Sequence, residues 1–585
     1  MRFCQGAVAN LIPSRLWQFT IPGLESGVES KLPGDAEFQF HPHYRSERPL
    51  DATLLKVQTG FDDFITEKYA EQIAAILSEW SAGLLRSPQE TQAIRKVLAG
   101  NFSGVPLKPV ESRVARSNAG IEVRKNKFST RTTLGRGAFF QEWRSSLSGL
   151  SRIVKAEFHI VRIDAAQAKA FGSTLPQTVQ TSIRYEMVGT GTGFHREQRI
   201  GTWDLMWTPS SAGEFRISSW RALEETQARA MSPIYVDITA GALGNNSSYS
   251  EQMLHGTDYW RTVLDGACGI DIYGHNGVSV ADIDNDGFDD LYVCQPAGLP
   301  NRLYRNRGDG TFEDITDSSG LGILENTACA LFADFSNHGR QDVIVVRANG
   351  PLFFVNEGGG KFRQKPDAFQ FANPPQGTFT GAAAADYDRD GWLDVYFCLY
   401  SYYQGTGQYK YPSPYHDAEN GPPNFLMRNQ RDGTFRDVTE AAGLNQNNTR
   451  YSFCCGWSDY SHDGWPDLYV VNDFGRKNLY RNNGDGTFTD IAAHAGAEDI
   501  GAGMSVSWLD YNNDGAPDLY VADMWTAAGE RISSQDVFKK DSPREIRALY
   551  QKHAMGNSLF CGRSDAAFDD ATASAGVGIG RWSWS

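Results

Sequence analysis

Two periodicities divide the first part of the chain. Apolar residues recur every three or four positions from Phe61 to Leu84, which predicts an amphipathic helix. A Ser-Pro-x-Glu pattern at Ser87 predicts the start of a second helix, and Gly100 is suited to end it. From about Phe128 the apolar residues alternate instead. This alternation predicts long antiparallel strands at residues 155–163, 180–190, 195–208 and 215–225.

This succession of helices and strands is similar in pattern to nuclear-transport-factor-like (SnoaL-like) cones. The resemblance implies an α+β module in which the helices cover the concave face of a curved sheet. Such a cone could hold a small ligand or an acid–base pair, for which Tyr185, His195 and Glu197 are the candidates. A purely structural or dimerising role is the alternative.

From residue 231 onward the sequence repeats. A nine-residue acidic stretch, DIDNDGFDD from Asp282 to Asp290, returns with starts at Asp334, Asp386, Asp459 and Asp510. The starts lie 52, 52, 73 and 51 residues apart. A period near fifty residues is typical of propeller blades or of a stacked array.

The composition of this stretch predicts a calcium loop. Oxygen ligands at positions one, three, five and nine, with a backbone carbonyl at seven, suit a hard cation that takes about six to eight oxygens. A solvated acidic turn is the alternative for any single copy. The predicted ligands are Asp282, Asp284, Asp286, Phe288 and Asp290; Asp386, Asp388, Asp390, Trp392 and Asp394; Asp459, Ser461, Asp463, Trp465 and Asp467; and Asp510, Asn512, Asp514, Ala516 and Asp518.

The copy that begins at Asp334 departs from this pattern. Ser336 and His338 stand at positions three and five, where the other copies favour carboxylates. We therefore expect it to bind calcium weakly or not at all. Substitution of Asp388 should cost more calcium affinity than substitution of Asp334, because the loop of Asp388 offers four carboxylates.

A second sequence motif, which we call a phrase, accompanies most copies of the acidic stretch. NRLYRNRGDGTFEDIT begins at Asn301, and related text begins at Asn424 and Asn478. The Gly-Asp-Gly and Asp-Gly turns within it predict hairpins. Each repeat therefore reads as four strands, which is the content of one propeller blade.

The acidic stretches and these motifs together resemble the FG-GAP (VCBS) repeats of integrin-α-like propellers. Their amino-acid sequences are similar to those of the cartilage-acidic-protein/UnbV (ASPIC/UnbV) group. The resemblance implies a mainly β protein with a calcium-bearing, usually exported β-propeller of seven blades, and implies no catalytic residues. The expected organisation is an irregular segment at 1–58, the α+β module at 59–230 and the propeller at 231–585. Because five loops are present and a blade-like phrase ends at Gly576, we expect the propeller to be truncated here, with further repeats beyond Ser585.

Two insertions interrupt the repeats. The first, between residues 399 and 423, is rich in Tyr, Gly and Pro, a composition that suits contact with sugar rings, although a loop that caps the central channel is the alternative. Its candidate ligand-binding residues are Tyr402, Tyr403, Tyr409, Tyr411, Tyr415, His416, Asp417 and Glu419. The second, between residues 524 and 555, predicts a helix at about 543–553 that packs over the same end of the propeller.

The composition limits the possible functions. The net charge of −15 over 585 residues lies largely in the acidic loops, which indicates metal binding before any basic partner, and nucleic-acid binding lacks the basic stripe that it needs. No apolar run is long enough for a transmembrane helix. The eight cysteines fit small buried residues on inner strands, with disulfides as the alternative in an exported protein.

The sequence thus predicts a calcium-binding module that acts in binding or adhesion in an extracellular or periplasmic location, with a glycan or protein ligand. Export is expected despite a poor N-terminal leader, because such open loops suit extracellular calcium levels. The rival hypothesis is an enzyme, either a polysaccharide lyase or hydrolase or a small-molecule enzyme that uses the cone. It needs an acid pair that calcium does not occupy, and Asp417 and Glu419 are the candidates.

Overall fold

The structure, a computed structural model, describes residues 58–60, 63–118, 120–131, 133–166, 176–210, 213–264, 277–402 and 411–580. These residues divide into two compact units on either side of Met231.

The described residues of the first unit form two helices and then the long strands in the predicted order, but a third helix and four shorter strands, which were not predicted, lie between them. The helices are α1 (Ile65–Arg86), α2 (Gln92–Val97) and α3 (Arg136–Ser146). The strands are β1 (Leu98–Gly104), β2 (Glu111–Asn118), β3 (Ile121–Lys127), β4 (Leu134–Gly135), β5 (Arg152–Ala166), β6 (Thr178–Gly191), β7 (Phe194–Pro209) and β8 (Phe215–Ala230).

One sheet organises the first unit. Its strands lie in the order β2-β3-β8-β7-β6-β5, and β1 pairs parallel to β8. The predicted long strands and the first helix are confirmed, and α1 packs against β5. The prediction for the second helix was wrong at both ends. The Ser87 hydroxyl accepts a hydrogen bond from the backbone N–H of Gln89 and does not cap a helix through Glu90. Helix α2 begins only at Gln92, and Gly100 lies inside β1 and does not end the helix.

Tryptophan rings fill the core between the helices and the sheet. Trp80 of α1 stacks on Trp220 of β8 with ring centroids 5.5 Å apart, and Trp143 of α3 packs against Trp203 and Trp220. Trp207 is buried beside them. Buried aromatic rings contribute large apolar areas and geometric specificity, so this cluster fixes how the helices seat on the sheet.

Two of the three candidate acid–base residues of the first unit, Tyr185 and Glu197, are held in separate contacts, and neither contact involves His195. The Tyr185 hydroxyl donates to Glu225 at 2.8 Å. The buried carboxylate of Glu197 forms ion pairs of 2.5 Å with both Arg199 and Arg229. Although burial favours the neutral acid, these arginines lower the pKa of Glu197. The likeness of this unit to a ligand-binding cone stays a prediction.

The second unit contains five successive antiparallel sheets in its described residues. The first two consist of β9 (Val278–Ala281), β10 (Asp290–Val293), β11 (Arg302–Asn306) and β12 (Phe312–Asp314), and of β13 (Thr327–Ala333), β14 (Asp342–Arg347), β15 (Gly350–Gly358) and β16 (Lys361–Lys365). The third consists of β17 (Phe369–Gln370), β18 (Gly377–Ala385), β19 (Asp394–Tyr402), β20 (Phe425–Asn429) and β21 (Phe435–Asp437). The last two consist of β22 (Tyr451–Ser458), β23 (Asp467–Phe474), β24 (Asn478–Asn482) and β25 (Phe488–Asp490), and of β26 (Gly503–Leu509), β27 (Asp518–Asp523), β28 (Ser558–Gly562) and β29 (Phe568–Asp570).

The strands of each sheet follow one another in chain order, so the prediction of four strands in each repeat is confirmed; β17 is an extra parallel strand at the edge of the third sheet. The first strands of neighbouring sheets contact each other in sequence, from β9 through β13, β18 and β22 to β26. Each acidic loop joins the first and second full-length strands of its sheet, whereas both insertions join the second and third. Because the strands are antiparallel, the acidic loops and the insertions lie at opposite ends of the sheets.

Short helices complete the second unit. They are α4 (Thr239–Leu243), α5 (Thr257–Val263), α6 (Thr316–Ser319), α7 (Ala492–Ala495), α8 (Ala527–Ser533), α9 (Arg544–His553) and α10 (Thr572–Ala575), together with one π-helical turn at Tyr249–Met253. The helix predicted in the second insertion is confirmed as α9. The described cysteines, Cys294, Cys329, Cys398, Cys454, Cys455 and Cys561, are free thiols. Among the described helices, none combines the length and apolar character needed to span a membrane.

Candidate metal loops and candidate binding surface

The first aspartate closes each acidic loop. Its carboxylate accepts the backbone N–H groups of positions five and six at 2.7–3.1 Å in all five copies. This turn needs a left-handed backbone at position six, where φ is +88° at Gly287 and +87° at Gly391, and only glycine adopts such angles without strain. The repeated sequence therefore gives five loops of one conformation.

The last aspartate anchors each loop to the third strand of its sheet. These side chains are buried, and one oxygen of each accepts a backbone N–H at 2.7–2.9 Å. The second oxygen accepts a loop amide in Asp290 and Asp518. The second oxygens of Asp342, Asp394 and Asp467 have no hydrogen-bond partner among the described residues.

Burial raises the pKa of two of these carboxyl groups well above the usual value for aspartate. It raises the pKa of Asp394 to about 8 and that of Asp467 to about 7, and the backbone bonds from the third strand offset only part of that effect. A buried carboxylate oxygen without a partner is costly, and a cation is the ligand that satisfies it. Asp284 and Asp388 each add one more buried oxygen without a described partner.

The structure brings together many of the predicted ligands. One oxygen from each of Asp282, Asp284 and Asp290 lies within 4.8 Å of the others, and the same holds for Asp386, Asp388 and Asp394. At position five, the carboxylates of Asp286, Asp390, Asp463 and Asp514 accept the backbone N–H of position seven (Phe288, Trp392, Trp465 and Ala516) at 2.9–3.0 Å.

Position three differs between the last two loops. The Ser461 hydroxyl is buried without a described partner, whereas Asn512 bonds the backbone and side chain of Asp514. All assigned ligands in these four loops stay predictions, because geometry shows only that they are available.

An arginine borders the third loop. The guanidinium of Arg428, on β20, lies 2.7 Å from Asp388 and 3.1 Å from Asp390, and Arg431 lies 2.8 Å from Asp390. The sequence suggested that four carboxylates make this loop one of the strongest, but two of them are shared with arginine. Proximity of a fixed positive charge should oppose calcium there.

Asparagines connect each of the first three loops to the sheet that follows it. In the second, third and fourth sheets, the side-chain N–H of a third-strand asparagine donates to the carbonyl of position two in the preceding loop. These bonds run from Asn356 to Ile283 at 2.8 Å, from Asn429 to Phe335 at 2.9 Å and from Asn482 to Tyr387 at 2.9 Å. An Arg-Asn pair at Asn429 and Asn482 was visible in the sequence, whereas Asn356 follows a valine. The role of these asparagines could be recognised only once the structure showed that successive sheets adjoin.

The first insertion is partly outside the described residues. Tyr403 and Tyr409 lie outside the described residues, and the side chain of Tyr402 is likewise not described. Of the remaining candidates, Tyr411 and Tyr415 are 68% and 42% exposed. Asp417 accepts a bond of 2.9 Å from Arg476, and Glu419 lies 3.6 Å from Arg450.

The two insertions meet at one end of the fourth sheet. The Tyr415 ring packs against Tyr550 and His553 of α9, with centroids 6.1 and 5.1 Å away, and His416 lies 4.9 Å from Tyr550. The Lys552 ammonium donates to the carbonyl of Glu498. We name this surface, formed by residues 411–423 and 524–555, the insertion face.

A cavity of about 280 Å³ opens at this end of the fourth sheet. Its polar lining comes from strand ends that were not candidates in the sequence: Asn447, Arg450, Arg476, Lys477, Asp490, His494 and Glu498. Ion pairs with Asp417 and Glu498 hold Arg476 in place. Residues so distant in sequence carry no shared motif, so only the fold reveals them.

A buried ion cluster underlies the cavity. The Lys477 ammonium is fully buried and donates to Asp499 at 2.7 Å, to Asp523 at 2.8 Å and to the carbonyl of Gly501 at 3.0 Å. Burial raises the pKa of Asp523, and its neighbour Asp499 adds to that rise. Nearby Asp473, also buried, accepts the Tyr400 hydroxyl, and burial raises its pKa to about 6.

Comparison with known proteins places the acidic loops in a known repeat. Residues 282–345, 334–397 and 459–521 each match the FG-GAP-like repeat. Cartilage acidic protein 1 of Xenopus tropicalis is 35% identical over 127 residues, which is 21% of this chain and 19% of that protein. The Homo sapiens protein of the same name is 33% identical over 130 residues, with the same coverage. The match thus spans about a fifth of the length of these relatives.

Solved structures give more distant matches. A structure of an Agrocybe aegerita lectin that recognises non-reducing terminal N-acetylglucosamine is 16% identical, with a TM-score of 0.30 over 51% of this chain and 66% of that one. The biofilm matrix protein Bap1 of V. cholerae is 14% identical, with a TM-score of 0.28 over 50% of this chain and 38% of that one. TM-scores this low do not establish a shared fold or function. What the comparisons establish is that this chain carries FG-GAP-like repeats and resembles cartilage acidic protein 1 over about a fifth of its length.

Proposed function

We propose that this chain is a calcium-stabilised β-propeller that acts outside the cytoplasm as a binding or adhesion module. In this proposal the five sheets are blades, the acidic loops at one end hold calcium, and the insertion face at the other end holds the partner.

The residues present fit calcium. Each loop gathers hard carboxylate oxygens, several of them buried without described partners, and calcium prefers such oxygen ligands. The four loops that begin at Asp282, Asp386, Asp459 and Asp510 would hold one ion each. Calcium would supply the positive charge that lets the buried last aspartates ionise, and would thereby fix each loop against its third strand.

The blade arrangement draws support from the strand contacts. Five similar sheets with sequential contacts between their first strands are what a propeller needs around its axis. The asparagine bonds between neighbouring repeats would then make calcium loops and inter-blade contacts interdependent. Open, solvent-facing loops suit the calcium levels outside cells, with dissociation constants of about 10⁻⁴–10⁻³ M.

The observation that carries the binding function is the insertion face. Two insertions that are absent from the other repeats meet over the same strand ends, beside a cavity, and present exposed tyrosines. Inserted loops on a rigid scaffold are the usual place for recognition. In contrast, Asp417 and Glu419, the acid pair on which the enzyme hypothesis depended, each lie beside an arginine, at 2.9 Å from Arg476 and 3.6 Å from Arg450.

The chemistry of this face suits a saccharide. Tyrosine rings stack on the apolar faces of sugars, and the arginines and carboxylates at the cavity can bond hydroxyl or acidic groups. The experiment is retention of the purified protein on a panel of immobilised polysaccharides in millimolar calcium. Tyr411→Ala should reduce retention, whereas Tyr235→Ala, which removes a tyrosine that is 92% exposed on a segment outside this face, should not.

Two results would overturn the saccharide assignment. Retention on none of the polysaccharides would remove the ligand class and leave a protein partner as the candidate. Equal loss in the Tyr411 and Tyr235 variants would show that the insertion face is not the binding surface.

A further inference from the structure

The divergent second loop differs from its four relatives in ligand chemistry. It keeps aspartates at positions one and nine, Asp334 and Asp342, but has Ser336 at position three and His338 at position five. Its backbone is nevertheless the same, because the carboxylate of Asp334 accepts the amides of His338 and Gly339 at 2.9 and 2.7 Å. The loop has therefore kept the shape of the acidic loops while its donor atoms changed.

The His338 ring lies between the two carboxylates. Its Nδ1 atom is 3.2 Å from Asp334 Oδ1, and its Nε2 atom is 3.3 Å from Asp342 Oδ1. One ligand atom from each of the three residues lies within 4.8 Å of the others. Ligands that lie about 2.0–2.2 Å from one tetrahedral ion are separated from each other by about 3.2–3.6 Å. The distance of 3.3 Å between His338 Nε2 and Asp342 Oδ1 therefore suits such an ion.

Two atoms in this group lack a hydrogen bond among the described residues. Asp342 is wholly buried, and its Oδ2 atom forms no hydrogen bond. His338 Nε2 is also buried and forms no hydrogen bond, although it lies 3.3 Å from Asp342 Oδ1 and the side chain as a whole is 24% exposed. A buried carboxylate oxygen beside a buried imidazole nitrogen points to a bound cation, and the partial exposure of the ring leaves that cation a path from solvent.

The donor set argues against calcium and for a softer ion. Calcium prefers oxygen ligands, whereas imidazole with carboxylates suits zinc, copper, iron or nickel. The two carboxylates also balance the charge of one divalent ion. Nδ1 accepts the backbone N–H of Arg340 at 3.3 Å, which in a neutral imidazole places the proton on Nε2. Metal binding at Nε2 would move that proton to Nδ1, where it would face Asp334, an arrangement in which a carboxylate orients a metal-bound imidazole.

We propose that Asp334, His338 and Asp342 form a site for a divalent transition-metal ion of the zinc type, distinct from the four calcium loops. Nε2 of His338 and the carboxylate of Asp342 bind the ion, Asp334 borders it and orients the ring, and Ser336 or water completes the coordination. The loop thus selects its metal through one residue, since the other repeats carry aspartate at the position of His338.

The test uses the full chain, stripped with a chelator, dialysed and then saturated with millimolar calcium so that the four other loops are filled. Zinc chloride is titrated by calorimetry, and cobalt chloride gives a visible spectrum that reports nitrogen ligation. The wild-type chain should bind one zinc ion with high affinity. Loss of a ligand should weaken this binding by at least the roughly 10–100-fold seen for residues that only orient ligands.

Matched variants isolate the site. His338→Gln and His338→Ala should both lose the zinc equivalent and the cobalt spectrum. His462→Gln makes the same change at an exposed position of the fourth loop that is not a ligand position, and it should change neither. The double variant Ser336→Asp/His338→Asp should lose zinc and gain one calcium equivalent.

Each contrary result is decisive. If wild-type protein binds no zinc equivalent, the imidazole only bridges the two carboxylates and the proposal fails. It fails equally if His338→Gln, shown to be folded by circular dichroism, binds zinc as tightly as the wild type.

Discussion

The asparagine bonds between repeats make a quantitative prediction about stability. The buried Asn482 side chain donates to the carbonyl of Tyr387 in the preceding loop at 2.9 Å and to that of Pro466 at 3.2 Å, and it accepts the amide of Gly484 at 3.0 Å. The change Asn482→Ala removes all three bonds and leaves the buried Tyr387 carbonyl without that hydrogen-bond donor. An unsatisfied buried group costs about 1–3 kcal/mol, and each of the two part-buried bonds contributes about 0.5–1.5 kcal/mol. The expected loss is therefore about 2–6 kcal/mol.

The first sheet provides a matched control. Asn306 occupies the equivalent position, but its side chain donates to Asp289 within its own repeat and accepts the amide of Gly308, and both bonds are exposed. The change Asn306→Ala should therefore cost about 1 kcal/mol.

The assay is urea unfolding in saturating calcium, followed by tryptophan fluorescence, with the free-energy difference taken from the midpoint and slope. Equal losses in the two variants would refute the reasoning, because they would show that the bond between neighbouring sheets contributes nothing beyond a local turn.

Three further predictions follow from the sites. Lys477→Met should destabilise the second unit by about 3–5 kcal/mol in thermal or urea unfolding, because it leaves Asp523 buried without its cation and leaves Asp499 with only the Lys552 ammonium, 3.7 Å away. A loss below about 1 kcal/mol would contradict this. Arg428→Ala should raise the calcium affinity of the third loop in calorimetric titration, since it removes a competing positive charge, and unchanged affinity would show that the arginine withdraws when calcium binds. Burial raises the pKa of Asp394 from 3.8 to about 8 in the metal-free protein, so between those pH values the native state keeps a proton that the unfolded chain has lost, and its stability falls as pH rises. Calcium must displace that proton to bind Asp394, so adding calcium should raise the Tm more at about pH 8 than at about pH 5. A Tm shift that is equal at both pH values would contradict this role of Asp394.

Local sequence patterns predicted the repeated elements well. The alternation of apolar residues located the long strands of the first unit, and the Asp-Gly turns located the hairpins of each repeat. Caps were less predictable. Ser87 and Pro88 suggested a helix start, but the helix forms at Gln92, because packing against the sheet overrides a weak local signal.

Contacts between distant residues could not be predicted from the sequence. The phrase YVDIT at Tyr235 matches the last strand of other repeats, yet Tyr235 is exposed and lies in no described strand, because a strand also needs a neighbouring strand with which to pair. In the same way, Arg428 forms ion pairs with two predicted calcium ligands, and Lys477 forms ion pairs with aspartates from separate segments. Neither pairing has a signature in the local sequence, since each depends on how the sheets adjoin.

The central claim is that the acidic loops bind calcium, and direct measurement of calcium stoichiometry tests it. The protein is equilibrated by dialysis in millimolar calcium with excess magnesium, and bound metal is quantified by mass spectrometry. The account predicts about four calcium ions per chain, one for each loop with a full oxygen ligand set, and it predicts that magnesium does not replace them. Bound calcium at or below one ion per chain, or equal occupancy by magnesium, would contradict it.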